Sequence, residues 1–147
     1  MSNIRQQIVE EARTWIGTPF VHQHRTKGVA VDCAGLVIGV ARSLGLVPAD
    51  FDFQGYSRLP DATSLVAICD QFMERIGRDQ MQSGDLLAVR FDQHPQHFGL
   101  LADYPLGGLS IIHAASRYGR VLETRLIFGT SPLAMKFVTA YRLPGVV

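Results

Sequence analysis

Two cysteines and five histidines are the side chains here that could carry nucleophilic and acid–base chemistry. Cys33 follows Asp32 and opens the run Cys33-Ala34-Gly35-Leu36-Val37-Ile38-Gly39-Val40, apolar at helical spacing. Asp is a preferred N-cap residue, so Cys33 is predicted at the first helical position. Unpaired backbone N–H groups and the positive end of the helix dipole gather there and favour the thiolate, the attacking form of cysteine. Ala34 and Gly35 are small enough to leave room for a substrate backbone against the helix end. Locally the pattern fits a buried small residue equally well. A base decides between the two.

His97 precedes Phe98-Gly99-Leu100-Leu101-Ala102-Asp103-Tyr104, and His113 interrupts the apolar run from Leu109 to Ala115. These read as consecutive strands. A hairpin centred on the Pro105–Leu106 bond sets position 97 against position 114, so the two histidines are predicted one place out of register, within reach after a bulge. A cysteine with an imidazole base, itself oriented by a third polar group, is an arrangement for covalent acyl transfer. His94, beside Pro95, is expected in a solvated turn. His22 and His24 lie in an irregular stretch and, with the other histidines, could in principle hold a catalytic zinc. No His-x-x-x-His or Cys-x-x-Cys spacing supports that, so no metal and no cofactor are expected.

The elements that must position these groups follow from periodicity. Ile4, Ile8, Ala12 and Trp15 share one face of a helix predicted over Ser2–Ile16, which Gly17 and Pro19 end. Thr18 to Val31 reads as loop. The second helix runs from Asp32 through Leu44 to a stop at Gly45, followed by a loop holding Pro48, Phe51, Tyr56 and Pro60. Leu65, Ile68, Phe72 and Ile76 predict a third helix over about Thr63–Ile76, with Cys69 inside it as a packing thiol. After Ser83-Gly84-Asp85 come five strand-like segments, beginning near Leu86, Phe98, Leu109, Arg120 and Lys136, read as an antiparallel meander. Helices first and strands after give an α+β domain with the helices on one face of the sheet.

At 147 residues the chain is read as one domain, 1–147, with 47% hydrophobic and 18% charged residues and no composition shift or repeat that would divide it. A formal charge of +1 with scattered Lys and Arg does not make the basic patch that nucleic acid requires. The N-terminal stretch carries Glu10 and Glu11 and no apolar h-region, so cytoplasmic synthesis without a signal peptide is expected. No apolar run approaches the roughly 20 residues of a membrane span, so no membrane insertion is expected.

The order of the motifs adds a resemblance. Trp15-Ile16-Gly17-Thr18-Pro19-Phe20, Asp32-Cys33-Ala34-Gly35-Leu36-Val37, Gly84-Asp85-Leu86-Leu87, His97-Phe98-Gly99-Leu100-Leu101 and Ile112-His113-Ala114 together resemble the NlpC/P60 family of cell-wall peptidases. The resemblance implies a papain-like α+β fold, with Cys33 as nucleophile, His97 as base and His113 as the residue orienting the base. It implies as substrate a peptidoglycan stem peptide, cut at a bond such as D-glutamyl-diaminopimelate. Val21-His22-Gln23 and Lys27-Gly28-Val29 are similar to stretches in small members associated with phage tails and phage-like particles, which implies a virion-like particle as the route to the cell wall.

Two positions depart from the family pattern. Phe20 stands where a Tyr hydroxyl is usual, so either His22 supplies a polar group or the site manages without one. Ala34 replaces the usual Ser after the cysteine and keeps the backbone N–H groups. Asp32 and Arg25 could meet the charged ends of a stem peptide, beside roles as helix cap and surface charge. Two other readings stand next to the hydrolase: a structural tail component with marginal activity, and an acyltransferase that ends the thioester on an acceptor other than water.

Overall fold

The computed structural model describes residues 3–52, 64–91, 94–131 and 134–147; at 64 and 94–96 it describes the backbone alone. The expectations for Tyr56, Pro60 and the start of the third helix at Thr63 lie outside the described residues.

Helix α1 spans Ile4–Arg13, and its first turn is closed by Asn3, whose side chain accepts the Gln6 N–H at 2.8 Å. It is shorter than expected, because Trp15 follows in a turn and lays its buried indole where a Cβ on Gly39 would be. That packing pins the end of α1 to helix α2, Cys33–Ser43, in which every residue from Cys33 to Ala41 is buried. The stretch before α2, expected as loop, contains a small antiparallel hairpin of β1, Arg25–Thr26, and β2, Ala30–Val31.

Helix α3, Ser64–Phe72, stops four residues before its predicted end, and Glu74–Ile76 instead form strand β3. Arg75 turns back onto Asp70 with two bonds of 2.8 Å, and Ile76 packs on the sheet face opposite the helices. The apolar spacing that predicted a helix through Ile76 was a strand residue falling by coincidence in helical phase.

The other strands are β4, Leu86–Phe91, β5, His94–Asp103, β6, Leu109–Ala115, β7, Arg120–Arg125, and β8, Lys136–Arg142. They form a six-stranded antiparallel sheet in the order β3-β8-β4-β5-β6-β7. The expected five segments are all present, but the meander covers four of them. Strand β8 crosses back to pair with β4, because Ala140 and Tyr141 are fully buried and an outer position beside β7 would expose one edge of the strand that carries them.

Alternation along the strands divides the apolar residues between two faces. Leu86, Ala88, Leu100 and Ile112 meet Ile8, Leu36 and Val40 of the helices, as expected. Leu87, Val89, Leu101, Ile111 and Ala140 face the other way, under Phe128, Met135 and Phe137. Each fully buried Leu or Ile contributes roughly 2 kcal/mol, so the central strands are a rigid platform for whatever projects from them.

Candidate active site

The site is built from the start of α2 and the ends of three strands. Asp32 is 2% exposed, and its carboxylate is committed to the protein itself. Oδ1 accepts the Gly35 N–H and an Arg25 guanidinium N–H, each at 2.8 Å, and Oδ2 accepts the Gln23 N–H at 2.7 Å. His22 Nδ1 lies 3.8 Å from Oδ2. Arg25 reaches past Asp32 to Asp52 at 3.0 Å. Asp32 therefore caps the helix, as the sequence predicts, and also ties the 21–25 loop over the helix start.

That loop is strained. Gln23 has φ 59°, the left-handed region, and is the one non-glycine residue with positive φ among the described residues. Such a backbone costs about 1 kcal/mol or more, offset here by the bond to Asp32. Gly35 is required opposite the loop because a Cβ there would run into the His24 carbonyl. The neighbouring Phe20 donates its N–H to the Gly119 carbonyl at 2.8 Å and packs half-buried against the helical core.

Cys33 is buried, and the sign of its perturbation reverses the expectation from its helix-start position. Burial, and after it the Asp32 charge, push the thiol up to about 12. The Phe98 and Ala34 backbone groups and the Arg25 charge act the other way and do not prevail. Desolvation of a thiolate outweighs the helix dipole in a site this dry. Among the described residues no hydrogen bond joins the thiol to an imidazole; its partners are backbone, including Phe98, the residue directly after His97.

His97 pairs with Val89 across β4, next to a bulge between Val89 and Phe91. The regular pairing of β5 with β6 runs from Asp103 and Leu109 to Leu100 and Ile112, one residue off the predicted register, and ends there. Past that point the rings meet: His97 Nε2 is 2.8 Å from His113 Nδ1, with ring planes at 63°. His113 Nε2 in turn is 3.2 Å from the Thr124 hydroxyl on β7. Burial depresses His97 to about 3, helped by His113, and depresses His113 to about 4, helped by the Arg117 charge. Both rings are neutral at pH 7.

A small cap keeps them dry. Tyr118 stands edge-on to His113 at 6.0 Å and Phe91 lies tilted against His97 at 6.2 Å, while the Arg117 guanidinium sits over both aromatic rings at 5.3 and 5.2 Å. Thr124, Arg117, Tyr118 and Phe91 are not distinguished in the sequence, because their relevance depends on register across three strands. His24 is exposed, bonding the His22 carbonyl through Nδ1 at 3.0 Å. His94, expected in a turn, begins β5. Among the described residues no three His, Cys, Asp or Glu side chains converge as a metal site would require.

A buried thiol at a helix start and a hydrogen-bonded imidazole pair, the thiol on a helix and His97 of the pair on the strand whose Phe98 backbone acts on the thiol, are the parts of a layout for acyl transfer. The NlpC/P60 family model matches residues 17–130, most of the chain and all of the groups just described. The chain belongs to the NlpC/P60 family. No curated protein matches it. Among solved structures this NlpC/P60 chain is similar to NlpC2 from Trichomonas vaginalis, at TM-score 0.67 and 18% identity, over 97% of this chain and 47% of that one. It spans about half the length of that protein and of NlpC1 from the same organism. It is also similar to the NlpC/P60 domain of the peptidoglycan hydrolase SagA, at TM-score 0.56 and 26% identity, over 84% of this chain and 90% of that one. An N-acetylmuramoyl-L-alanine amidase from Bacteroides uniformis matches with TM-score 0.63 and 13% identity, over 95% and 98%. The papain-like α+β fold expected from the motifs is the fold observed.

Proposed function

We propose that this NlpC/P60 protein is a cysteine peptidase that hydrolyses an amide bond in peptidoglycan stem peptides, of the D-glutamyl-diaminopimelate type, with Cys33 as nucleophile, His97 as base and His113 as its orienting partner. The observation that carries this is the buried 2.8 Å bond between His97 Nε2 and His113 Nδ1, on the strand whose next residue, Phe98, touches the thiol. Similarity to the NlpC/P60 domain of the peptidoglycan hydrolase SagA supports the substrate class.

His97 uses Nε2 toward His113, so Nδ1 is the atom left to receive the thiol proton. With the thiol at about 12 and His97 at about 3, the proton rests on sulfur until substrate is in place. Proton transfer to Nδ1 then creates the thiolate as it attacks the peptide carbonyl, and the imidazolium protonates the leaving amine. Backbone N–H groups at the start of α2 face the developing oxyanion, and one such donor is worth about 3 kcal/mol in comparable sites. Water, deprotonated by neutral His97, hydrolyses the thioester and regenerates the thiol.

On the same reading, His22 and Phe20 line the approach to Cys33, while Asp32 and Arg25 shape it through the loop they hold. We further place the protein with phage tail or phage-like particle components, on the motif resemblance. Incubation of purified muropeptides with wild type and Cys33→Ala, read by mass spectrometry, tests the reaction: fragments with a new diaminopimelate amine should appear with wild type alone. Proteomics of purified particles tests the association.

A further inference from the structure

We propose that Thr124 is a positioning residue that supports the base-competent tautomer of the imidazole pair, its hydroxyl oxygen accepting the Nε2–H of His113 in that state. The inference rests on the assignment of Cys33 and His97 as nucleophile and base, and it adds a fourth member to that set.

Two neutral imidazoles in contact through Nε2 and Nδ1 share one proton, and there are two ways to place it. In the first, His97 carries it on Nε2 and donates to His113 Nδ1. His97 Nδ1 is then a bare lone pair that can take the thiol proton, and His113 must carry its own proton on Nε2. In the second, His113 carries it on Nδ1 and donates to His97 Nε2. His97 then bears its proton on Nδ1 and cannot act as a base. The first arrangement alone is productive, and it needs an acceptor beyond His113 Nε2. Thr124 Oγ1 is there, at 3.2 Å; its hydroxyl can also donate to a bare Nε2, but its loss strands a buried N–H in the productive arrangement and only a lone pair in the other.

The same atom is needed again at the moment of reaction. When His97 becomes an imidazolium, both of its nitrogens are donors, so His113 Nδ1 must accept and His113 Nε2 must donate. His113 is fully buried, and a donor left without a partner in such a place is costly. Burial, joined at His113 by the Arg117 charge, keeps the pair neutral in the resting protein, so the choice between tautomers, rather than the gain of a proton, is what a neighbour on β7 can influence. Thr124 is placed for this by β6–β7 pairing, which sets it opposite Ile111 and His113 opposite Leu122.

Thr124→Val keeps the shape and removes the acceptor, Thr124→Ser keeps the hydroxyl, and Thr124→Ala provides a smaller variant should Val fail to fold. Nitrogen-15 NMR of the ring nitrogens in the protein without substrate should show His113 protonated on Nε2 in wild type and in Thr124→Ser, and partly moved to Nδ1 in Thr124→Val or Thr124→Ala. On a defined stem peptide, Thr124→Val should lose about tenfold in kcat with KM little changed, and Thr124→Ser should recover most of it. An unchanged His113 tautomer, or an unchanged kcat, in well-folded Thr124→Val or Thr124→Ala overturns the proposal. If no stem peptide is cleaved by wild type yet the tautomer still moves, the positioning role stands and the peptidase reading falls.

Discussion

His97 Nε2 and His113 Nδ1 stand 2.8 Å apart on strands whose regular pairing stops at Leu100 and Ile112, three residues short of His97. The hydrogen bond between the rings takes over where the backbone ladder stops. A polar pair buried among apolar groups holds its geometry tightly, because each ring's bond to the other is strengthened by the low dielectric around it.

Cys33, His97 and His113 should behave as one unit. Cys33→Ala is expected to abolish hydrolysis, and His97→Ala to lower kcat/KM by about a thousandfold, within the range of general acid–base catalysis. His113→Ala should cost less, and His113→Asn should recover part of the loss. Adding His113→Ala to Cys33→Ala should cost nothing further, since the groups serve one transition state. Kinetics on a defined stem peptide, with thermal melts to confirm folding, check this; full activity in folded His113→Ala would remove it from the site.

Acid should destabilise the fold through these rings. Folding lowers His97 to about 3 and His113 to about 4, from ordinary values near ~6.5. Above pH ~6.5 both are neutral folded or unfolded, and their contribution is complete. As pH falls below that, the unfolded chain takes protons that the folded one refuses, so stability declines until the folded rings titrate. The slope approaches roughly 1 kcal/mol per pH unit for each ring. Melting temperatures between pH 7 and 4 should fall less steeply in His113→Gln than in wild type, and parallel curves would count against the burial argument.

Asp32 raises the Cys33 thiol through its charge, so Asp32→Asn should lower it. Alkylation of Cys33 by iodoacetamide should then shift to lower pH, with Cys69, buried in α3, unaffected and slower throughout. The same substitution breaks the buried ion pair with Arg25, and stability should drop by about 3 kcal/mol or more. Peptide mapping after timed labelling gives both rates. Faster reaction at Cys69 would reverse the assignment of the nucleophile.

Gly35→Ala should damage the site without touching a reacting group. The new Cβ meets the His24 carbonyl, a backbone atom in a loop held by the Asp32 bond to Gln23, so the strain cannot be relieved by a rotamer change. A loss of about 2 kcal/mol in stability is expected. A fall in kcat/KM should accompany it, measured beside the thermal melt; unchanged values in both would show that the loop gives way freely.

Cys33 at a helix start was readable because capping is local: a carboxylate, a small apolar run and a glycine stop lie within one stretch of chain. The strands β4 to β7 were readable for the same reason, from alternation and turn residues. The β5–β6 hairpin came within one residue of its true register, near enough to foresee that His97 and His113 would meet. Tertiary packing decided the rest. β8 lies beside β4, and Glu74–Ile76 is strand and not helix, because a buried Tyr141 and a partner for the sheet edge outweigh local periodicity. The thiol is pushed up and not down because desolvation depends on everything packed around it, which no local spacing records. Thr124 reaches His113 through strand pairing between residues eleven apart in the chain, and a threonine in a strand is otherwise unremarkable; side-chain partners across a sheet exist only once the register is set.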